Sequence, residues 1–128
     1  WYGPAKLVGR SERERFPQSL GELPVLLPTG HSALRVTLER WFDGLGLRPR
    51  VVGEFEDSAL LAVFAARGLG VFPVSRLGAD GAGFMRGLRL LGRCDGVNEE
   101  IHAIRSRRGQ HHPLVRAIIA AAGLRPMT

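Results

Sequence analysis

A histidine and a serine stand side by side between a short apolar run and a helical pattern. Gly30-His31-Ser32 follows the apolar run from Leu23 to Leu27 and a turn signal at Pro28. The serine nucleophile of an α/β hydrolase occupies a similar place, on a tight turn between a strand and a helix. That turn requires a glycine two residues after the serine, whereas Leu34 stands there in this chain. No pattern in the sequence therefore marks Ser32 as an activated nucleophile, and we predict that the chain is not an enzyme.

The histidines and the cysteine do not follow a metal-binding pattern. Two zinc-binding histidines on one helix are usually four residues apart. The four histidines of the chain lack that spacing: His31, His102, His111 and His112. We interpret His111-His112 as a turn followed by a helix cap. Cys94 is the only cysteine, which excludes an internal disulfide or a cysteine metal cluster and fits a reducing cytoplasm. The turns Gly68-Leu69-Gly70 and Gly81-Ala82-Gly83 lack the third glycine of a dinucleotide-binding loop, which argues against a nicotinamide cofactor. From these patterns together we predict neither a metal site nor a cofactor.

The strong positive charge raises the question of nucleic-acid binding. The chain of 128 residues has a formal net charge of +6, and Lys6 is its only lysine. Arg105, Arg107 and Arg108 form the only tight basic cluster, and no aromatic residue is interleaved there to stack on bases. Around Arg13, basic and acidic residues alternate, so that segment is nearly neutral. We therefore interpret the arginines mainly as a solvated surface, with nucleic-acid binding as the alternative.

The spacing of apolar residues predicts strands and helices in alternation. Strands are predicted at residues 23–27, 50–55, 69–74, 88–91 and 100–106, and helices at residues 32–45, 59–66 and from 112 to about 122. The helix at residues 59–66 is apolar almost all round, which is typical of a helix covered on both sides. This order indicates a three-layer α/β fold with a mostly parallel sheet.

Two predicted helices begin directly after predicted parallel strands, at residues 29–32 and 55–58. Open α/β sheets bind ligands at such positions, because free backbone N–H groups and the helix dipole point there. The alternative is that Asp57 and Ser58 only cap a helix while Phe55 packs in the core.

Three segments in this order resemble the effector domains of LysR-type transcriptional regulators. The first runs from Pro24-Val25-Leu26-Leu27-Pro28 through Trp41-Phe42 to the valines at 51 and 52. The second runs from Ser58 to Pro73, a helix, a glycine-bracketed turn and a strand closed by proline. The third runs from Ile101 to Ile118. Within the family, residues 52–60 and the closure Phe72-Pro73 look most similar to the sodium-responsive activators of a sodium/proton antiporter.

The resemblance implies a periplasmic-binding-protein-like (type II) lobe with a mostly parallel sheet of about five strands and one antiparallel strand. Residues 1–5 would be a hinge crossing from a first subdomain, residues 6–107 the second subdomain, and residues 108–128 the return crossing and C-terminal helix of the first. An effector, a small molecule or an ion, would bind in the cleft between the lobes. The ligand-binding residues expected from the strand ends and from the family are Thr29, His31, Ser32, Phe55, Glu56, Asp57, Ser58, Phe72 and Pro73.

The implied function is effector sensing in a cytoplasmic regulator that does not bind membranes. DNA would be bound only through a helix-turn-helix domain absent from this chain. The alternative is a solute-binding protein of a transport system with the same fold, which a secretion signal upstream would favour.

The resemblance also implies a homodimer or homotetramer in the full-length form, with the helix at residues 32–45 and the strand at residues 50–55 forming a dimer surface. The last helix carries an apolar stripe, made of Leu114, Val115, Ile118, Ile119 and Ala122. We expect this stripe to pack against another copy or to fold back on its own lobe.

Overall fold

The structure is a computed structural model that describes residues 1–80 and 85–123. Its strands are β1 (Tyr2–Pro4), β2 (Pro24–Pro28), β3 (Arg50–Phe55) and β4 (Leu88–Leu90). Its helices are α1 (Arg10–Glu14), α2 (Ala33–Leu45), α3 (Ser58–Ala66), α4 (Arg76–Asp80) and α5 (Pro113–Ala121). Short 3-10 turns cover Gln18–Gly21 and Gly109–His111. No helix among the described residues combines the length and the hydropathy needed to cross a bilayer.

Two small sheets lie side by side and are joined by single residue pairs. β2 and β3 run parallel, whereas β1 and β4 run antiparallel. Val71 connects to β2, because its N–H donates to the Pro24 carbonyl (2.9 Å) and its carbonyl accepts from the Leu26 N–H (2.8 Å). Phe72 exchanges two backbone hydrogen bonds with Tyr2 of β1, at 2.8 and 2.9 Å. The residues predicted as a hinge crossing therefore contribute a strand beside Phe72.

The predicted strand at residues 69–74 is reduced to these two pairs. Leu69 still belongs to the end of α3, since its N–H donates to the Phe64 carbonyl at 3.3 Å. Pro73 has no N–H to donate to a neighbouring strand. Val71 therefore pairs with β2 on one side, and Phe72 pairs with β1 on the other.

Alternate residues of β2 point into two different cores, as the two-residue period of a strand requires. Val25 and Leu27 join one core with Leu38 and Phe42 of α2. Leu26 joins the other with buried residues of α3 and with Phe72. The helices α2 and α3 thus cover opposite faces of the strands. This arrangement matches the predicted α/β class, and β2, β3 and β4 lie close to where they were predicted.

Helix α3 is covered on one side only. Leu61, Ala62 and Ala65 are buried, whereas Leu60 and Val63 are exposed on the opposite side. The prediction that this helix is covered on both sides is therefore wrong within the described chain. Gly68, with φ at 93°, ends the helix as expected, because an L side chain rarely adopts that conformation.

The predicted strand at residues 100–106 is also wrong. This segment has no regular secondary structure, and Ile104 is 95% exposed. Its two large apolar residues, Ile101 and Ile104, are three positions apart, so a strand would place them on opposite faces. No single face of such a strand is apolar enough to pack on a core.

Helix α5 forms as predicted but does not fold back. Pro113 is its first residue, and the Nδ1 atom of His112 accepts a hydrogen bond from the Leu114 N–H at 3.2 Å. The interpretation of His111-His112 as a turn and a cap is confirmed. Leu114 and Ile118 are exposed, and among the described residues the helix packs mainly on the 3-10 turn before it. Packing against another copy stays a prediction. The turn Gly81-Ala82-Gly83 lies outside the described residues.

Candidate functional site

The carboxyl ends of β2 and β3 meet at one edge of the sheet, where α2 and α3 begin. The Thr29 N–H, just after β2, donates to the carbonyl of Phe55 at the end of β3 (3.1 Å). The Ser32 N–H then donates to the Thr29 carbonyl at 3.0 Å and turns the chain into α2. These bonds hold the two helix N-termini side by side, in the geometry at which open α/β sheets bind ligands.

A pocket of about 340 Å³ lies between these helix N-termini. Six of the nine predicted ligand-binding residues line it: Thr29, His31, Ser32, Phe55, Glu56 and Ser58. The rest of its wall is formed by Pro28, Leu34, Leu61 and Glu99. Glu99 was not predicted, because it comes from an irregular segment after β4 and no local pattern marks it. We call this cavity the strand-end pocket.

The other three predicted residues have different surroundings. The Asp57 carboxylate caps α3, accepting hydrogen bonds from the N–H groups of Ala59 (2.7 Å) and Leu60 (3.3 Å). Phe72 is only 1% exposed and packs in the core beneath α3. Pro73 is half-buried and does not line the strand-end pocket. The structure therefore gives Asp57 the capping role, and it gives Phe72 a packing role.

The Asp57→Ala variant is expected to lower the free energy of unfolding by about 1 kcal/mol, because two N–H groups of α3 lose their acceptor. The matched control is Ser58→Ala, which removes a polar group from the next residue and leaves the cap intact. Surface substitutions of that kind usually change stability by less than about 0.5 kcal/mol. Urea unfolding followed by circular dichroism measures both variants, and equal losses would contradict the capping role.

Arg35 fixes the wall of the strand-end pocket. Its side chain is only 12% exposed, and its Nη1 atom donates to the Pro28 carbonyl (2.9 Å) and to Glu54 (3.1 Å). Its Nε atom donates to Glu39 one turn further along α2, at 2.9 Å. The pair with Glu39 follows from the four-residue spacing in the sequence. The contacts with β2 and β3 depend on the fold and were not predicted.

A second cavity, of about 650 Å³, lies at the carboxyl end of β4 and shares Glu99 with the strand-end pocket. Its wall includes Trp1, Tyr2, Val74, Leu90, Arg93 and Cys94. Burial raises the pKa of the Cys94 thiol. A thiol with a raised pKa is a poor nucleophile, because the thiolate is the reactive form. Cys94 therefore does not point to catalysis in this cavity.

The wall of the strand-end pocket carries polar side chains that can contact a ligand. Ser32 has ordinary extended backbone angles (φ −73°, ψ 134°), unlike the strained turn of a hydrolase nucleophile. Within residues 1–80 and 85–123, no group of three or more His, Cys, Asp or Glu side chains is placed to hold a metal ion. The wall instead offers three hydroxyl groups, one imidazole and two carboxylates, on Glu56 and Glu99. Such a set suits the hydrogen bonding of a small polar ligand or the coordination of an ion by oxygen.

Comparison with known proteins identifies the family of the chain. The family described as the LysR substrate binding domain matches residues 5–123. The transcriptional activator protein NhaR of Escherichia coli (strain K12) is 36% identical over 103 residues, which cover 80% of this chain and 34% of the relative. NhaR of Shigella flexneri matches to the same extent. The chain thus spans about a third of the length of these curated relatives. No solved structure matches significantly. Because the family match extends over nearly all of it, the chain belongs to the LysR substrate-binding domain family and is similar to the NhaR activators.

Proposed function

We propose that this chain is the effector-sensing domain of a LysR-type transcriptional regulator, and that a small molecule or ion binds in the strand-end pocket. The observation that carries the proposal is the convergence of six predicted residues between the N-termini of α2 and α3. No side chain caps the N-terminus of α2, so its backbone N–H groups favour a negatively polarised part of the effector. The carboxylates of Glu56 and Glu99 favour a positive part.

The strand-end pocket is one part of a wider cleft in this proposal. Both cavities lie along the same edge of the sheet, and Glu99 borders each of them. The domain division expected from the sequence would put this edge opposite a first subdomain, with residues 1–5 and 108–128 as the crossings. The described strands and the pairs at Val71 and Phe72 would then form a single sheet of about five rows, in which β1 is antiparallel.

Effector binding would act by shifting an equilibrium between arrangements of the lobes. A ligand that contacts both lobes binds the closed arrangement more tightly, and the population moves toward it in proportion to that difference. In the proposed regulator, DNA is bound by a separate helix-turn-helix domain in the cytoplasm. Effector binding would change the position of those DNA-binding domains.

The proposed regulator is a homo-oligomer, with α2 and β3 forming a dimer surface. β3 pairs with β2 on one side, and its valines at 51 and 52 are exposed, as is Val36 of α2. Exposed apolar side chains beside an unpaired strand edge are typical of surfaces that bind another chain. We call this the α2–β3 surface.

Sodium is the first probe of the strand-end pocket, since residues 52–60 resemble sodium-responsive activators. The chain is titrated with sodium chloride against potassium chloride at constant ionic strength, and thermal unfolding is recorded. Sodium at ten times its Kd is expected to stabilise the fold by about 1.4 kcal/mol, which raises the Tm by roughly 5 °C. Glu56→Gln is expected to remove the difference between the two salts.

The matched control is Glu12→Gln, a half-buried carboxylate of α1 that does not line the strand-end pocket. This variant should respond to sodium like the parent chain. If Glu56→Gln is still stabilised more by sodium than by potassium, sodium binds outside the strand-end pocket. No difference between the salts in the parent chain would rule out sodium and turn the test to small organic anions, with Ser32→Ala and Ser58→Ala as the variants.

A further inference from the structure

The outward side of α3 is an apolar surface that nothing covers in the described part of the chain. Ala59, Val63 and Ala66 recur at spacings of four and three residues, so they lie on one face of the helix, and Leu60 borders them. All four are exposed. We call this set the α3 face. The opposite side of the helix is buried in the core, where it packs against Phe72 and Leu26.

The two ends of the α3 face carry opposite charges. Glu56 and Asp57 precede the helix, and both are exposed. Arg67 follows it, and the side chain of Lys6 lies against Gly68, where a Cβ atom would come within 2.3 Å of the lysine Nζ. Neither Arg67 nor Lys6 forms an ion pair with another described residue. Each charge also interacts favourably with the helix dipole, since the acidic residues lie at the N-terminus of α3 and the basic residues at its C-terminus.

We propose that two copies of the chain pair through their α3 faces, antiparallel and about a two-fold axis near Val63. In this arrangement the acidic end of each helix lies against the basic end of the other. A two-fold interface must be self-complementary, with the same residues contributed by both partners. An apolar strip with one acidic and one basic end meets that condition only when the helices are antiparallel.

The size of the α3 face defines its role. Nine residues of helix span roughly 13 Å at 1.5 Å per residue. A helix this short cannot by itself bury the area of about 800 Å² per partner that a stable interface needs. The contact is therefore a second interface that joins copies already held together elsewhere. Linkage through a first interface raises the effective concentration for the second contact. α2 covers the opposite side of the strands from α3, so the α2–β3 surface and the α3 face can be occupied together.

Site-specific cross-linking tests whether two α3 faces meet. Val63→Cys is introduced into the full chain together with Cys94→Ser, and the protein is treated with a mild oxidant. The control is Leu90→Cys in the same background, because Leu90 of β4 is 37% exposed, against 45% for Val63, and lies outside both the α3 face and the α2–β3 surface. Rapid formation of a disulfide-linked pair by the Val63→Cys protein, and not by the control, is the expected result. Equal rates for the two proteins would overturn the proposal.

Charge reversal tests the antiparallel orientation. Arg67→Glu alone and Glu56→Arg alone are each expected to weaken the association by roughly twofold to tenfold, as measured by sedimentation velocity of the full chain. The double variant is expected to recover it, because the opposite charges face each other again. Unchanged circular dichroism shows that each variant is folded. A double variant that associates as weakly as the single variants would show that these charges serve only their own helix.

Discussion

The Phe72→Ala variant is expected to unfold with a free energy about 3–5 kcal/mol lower than the parent chain. The ring is 1% exposed and lies against Leu26 of β2 and the buried residues of α3. Both backbone groups of Phe72 are bonded to Tyr2, so the chain is fixed on that side and cannot easily move to fill the space. Loss of the ring therefore leaves a cavity in the core.

Equilibrium unfolding in urea, followed by circular dichroism, measures this loss. The control is Phe64→Ala, since Phe64 is only half-buried and packs at a tilt against Phe55, with the ring centres 5.1 Å apart. The decrease in the free energy of unfolding should be clearly smaller for Phe64→Ala than for Phe72→Ala, because part of the Phe64 ring is already in contact with water. A Phe72→Ala protein as stable as the parent chain that no longer responds to effector would contradict the packing role and restore Phe72 as a ligand contact.

Elements whose signals are local could be predicted from the sequence. The apolar stripe of α2 ends at Gly46, which adopts a left-handed conformation with φ at 67° and stops the helix there. Asp57 caps α3, and His112 caps α5. In each case one side chain or one glycine satisfies the backbone groups at a helix end. Nothing remote in the sequence is needed to place them.

Elements that depend on distant partners could not be predicted reliably. Whether Val71 extends into a strand depends on Pro24 and Tyr2, which are remote in the sequence. The outer side of α3 is apolar in the sequence, but the described chain provides no layer to cover it. Conversely, the apolar residues at 101 and 104 contribute to the prediction of a strand, but the described part of the chain provides no neighbouring strand to pair with them.

The candidate site shows the same division. Thr29, Ser32 and Ser58 could be placed together because each follows directly after a strand or begins a helix, and parallel strands end at one edge. Glu99 and the contacts of Arg35 with Pro28 and Glu54 join parts of the chain that only the fold brings together. Asp57 and Phe72 were predicted at the right edge of the sheet, yet their side chains cap and pack.

Two glycine-to-alanine substitutions are expected to change stability in opposite directions. At Gly70, an added Cβ atom would come 2.8 Å from the Pro24 carbonyl oxygen and 3.1 Å from Leu26. That oxygen accepts the hydrogen bond from the Val71 N–H at 2.9 Å, so moving it would disturb the pairing of Val71 with β2. Gly70→Ala is therefore expected to lower the free energy of unfolding by about 1–3 kcal/mol, as overpacking of a well-packed core does.

At Gly44, in the last turn of α2, an added Cβ atom would meet nothing within 4 Å apart from the adjacent residues and the backbone of its own helix. Gly44→Ala is expected to raise the free energy of unfolding by up to about 1 kcal/mol, because alanine loses less backbone entropy than glycine when a helix forms. Urea unfolding of both variants measures the pair, and the same chemical change should shift the midpoint down at Gly70 and up at Gly44. A stabilised Gly70→Ala variant would mean that the chain at Val71 does not approach β2 as closely as the structure shows, and the joining of the two sheets would have to be revised.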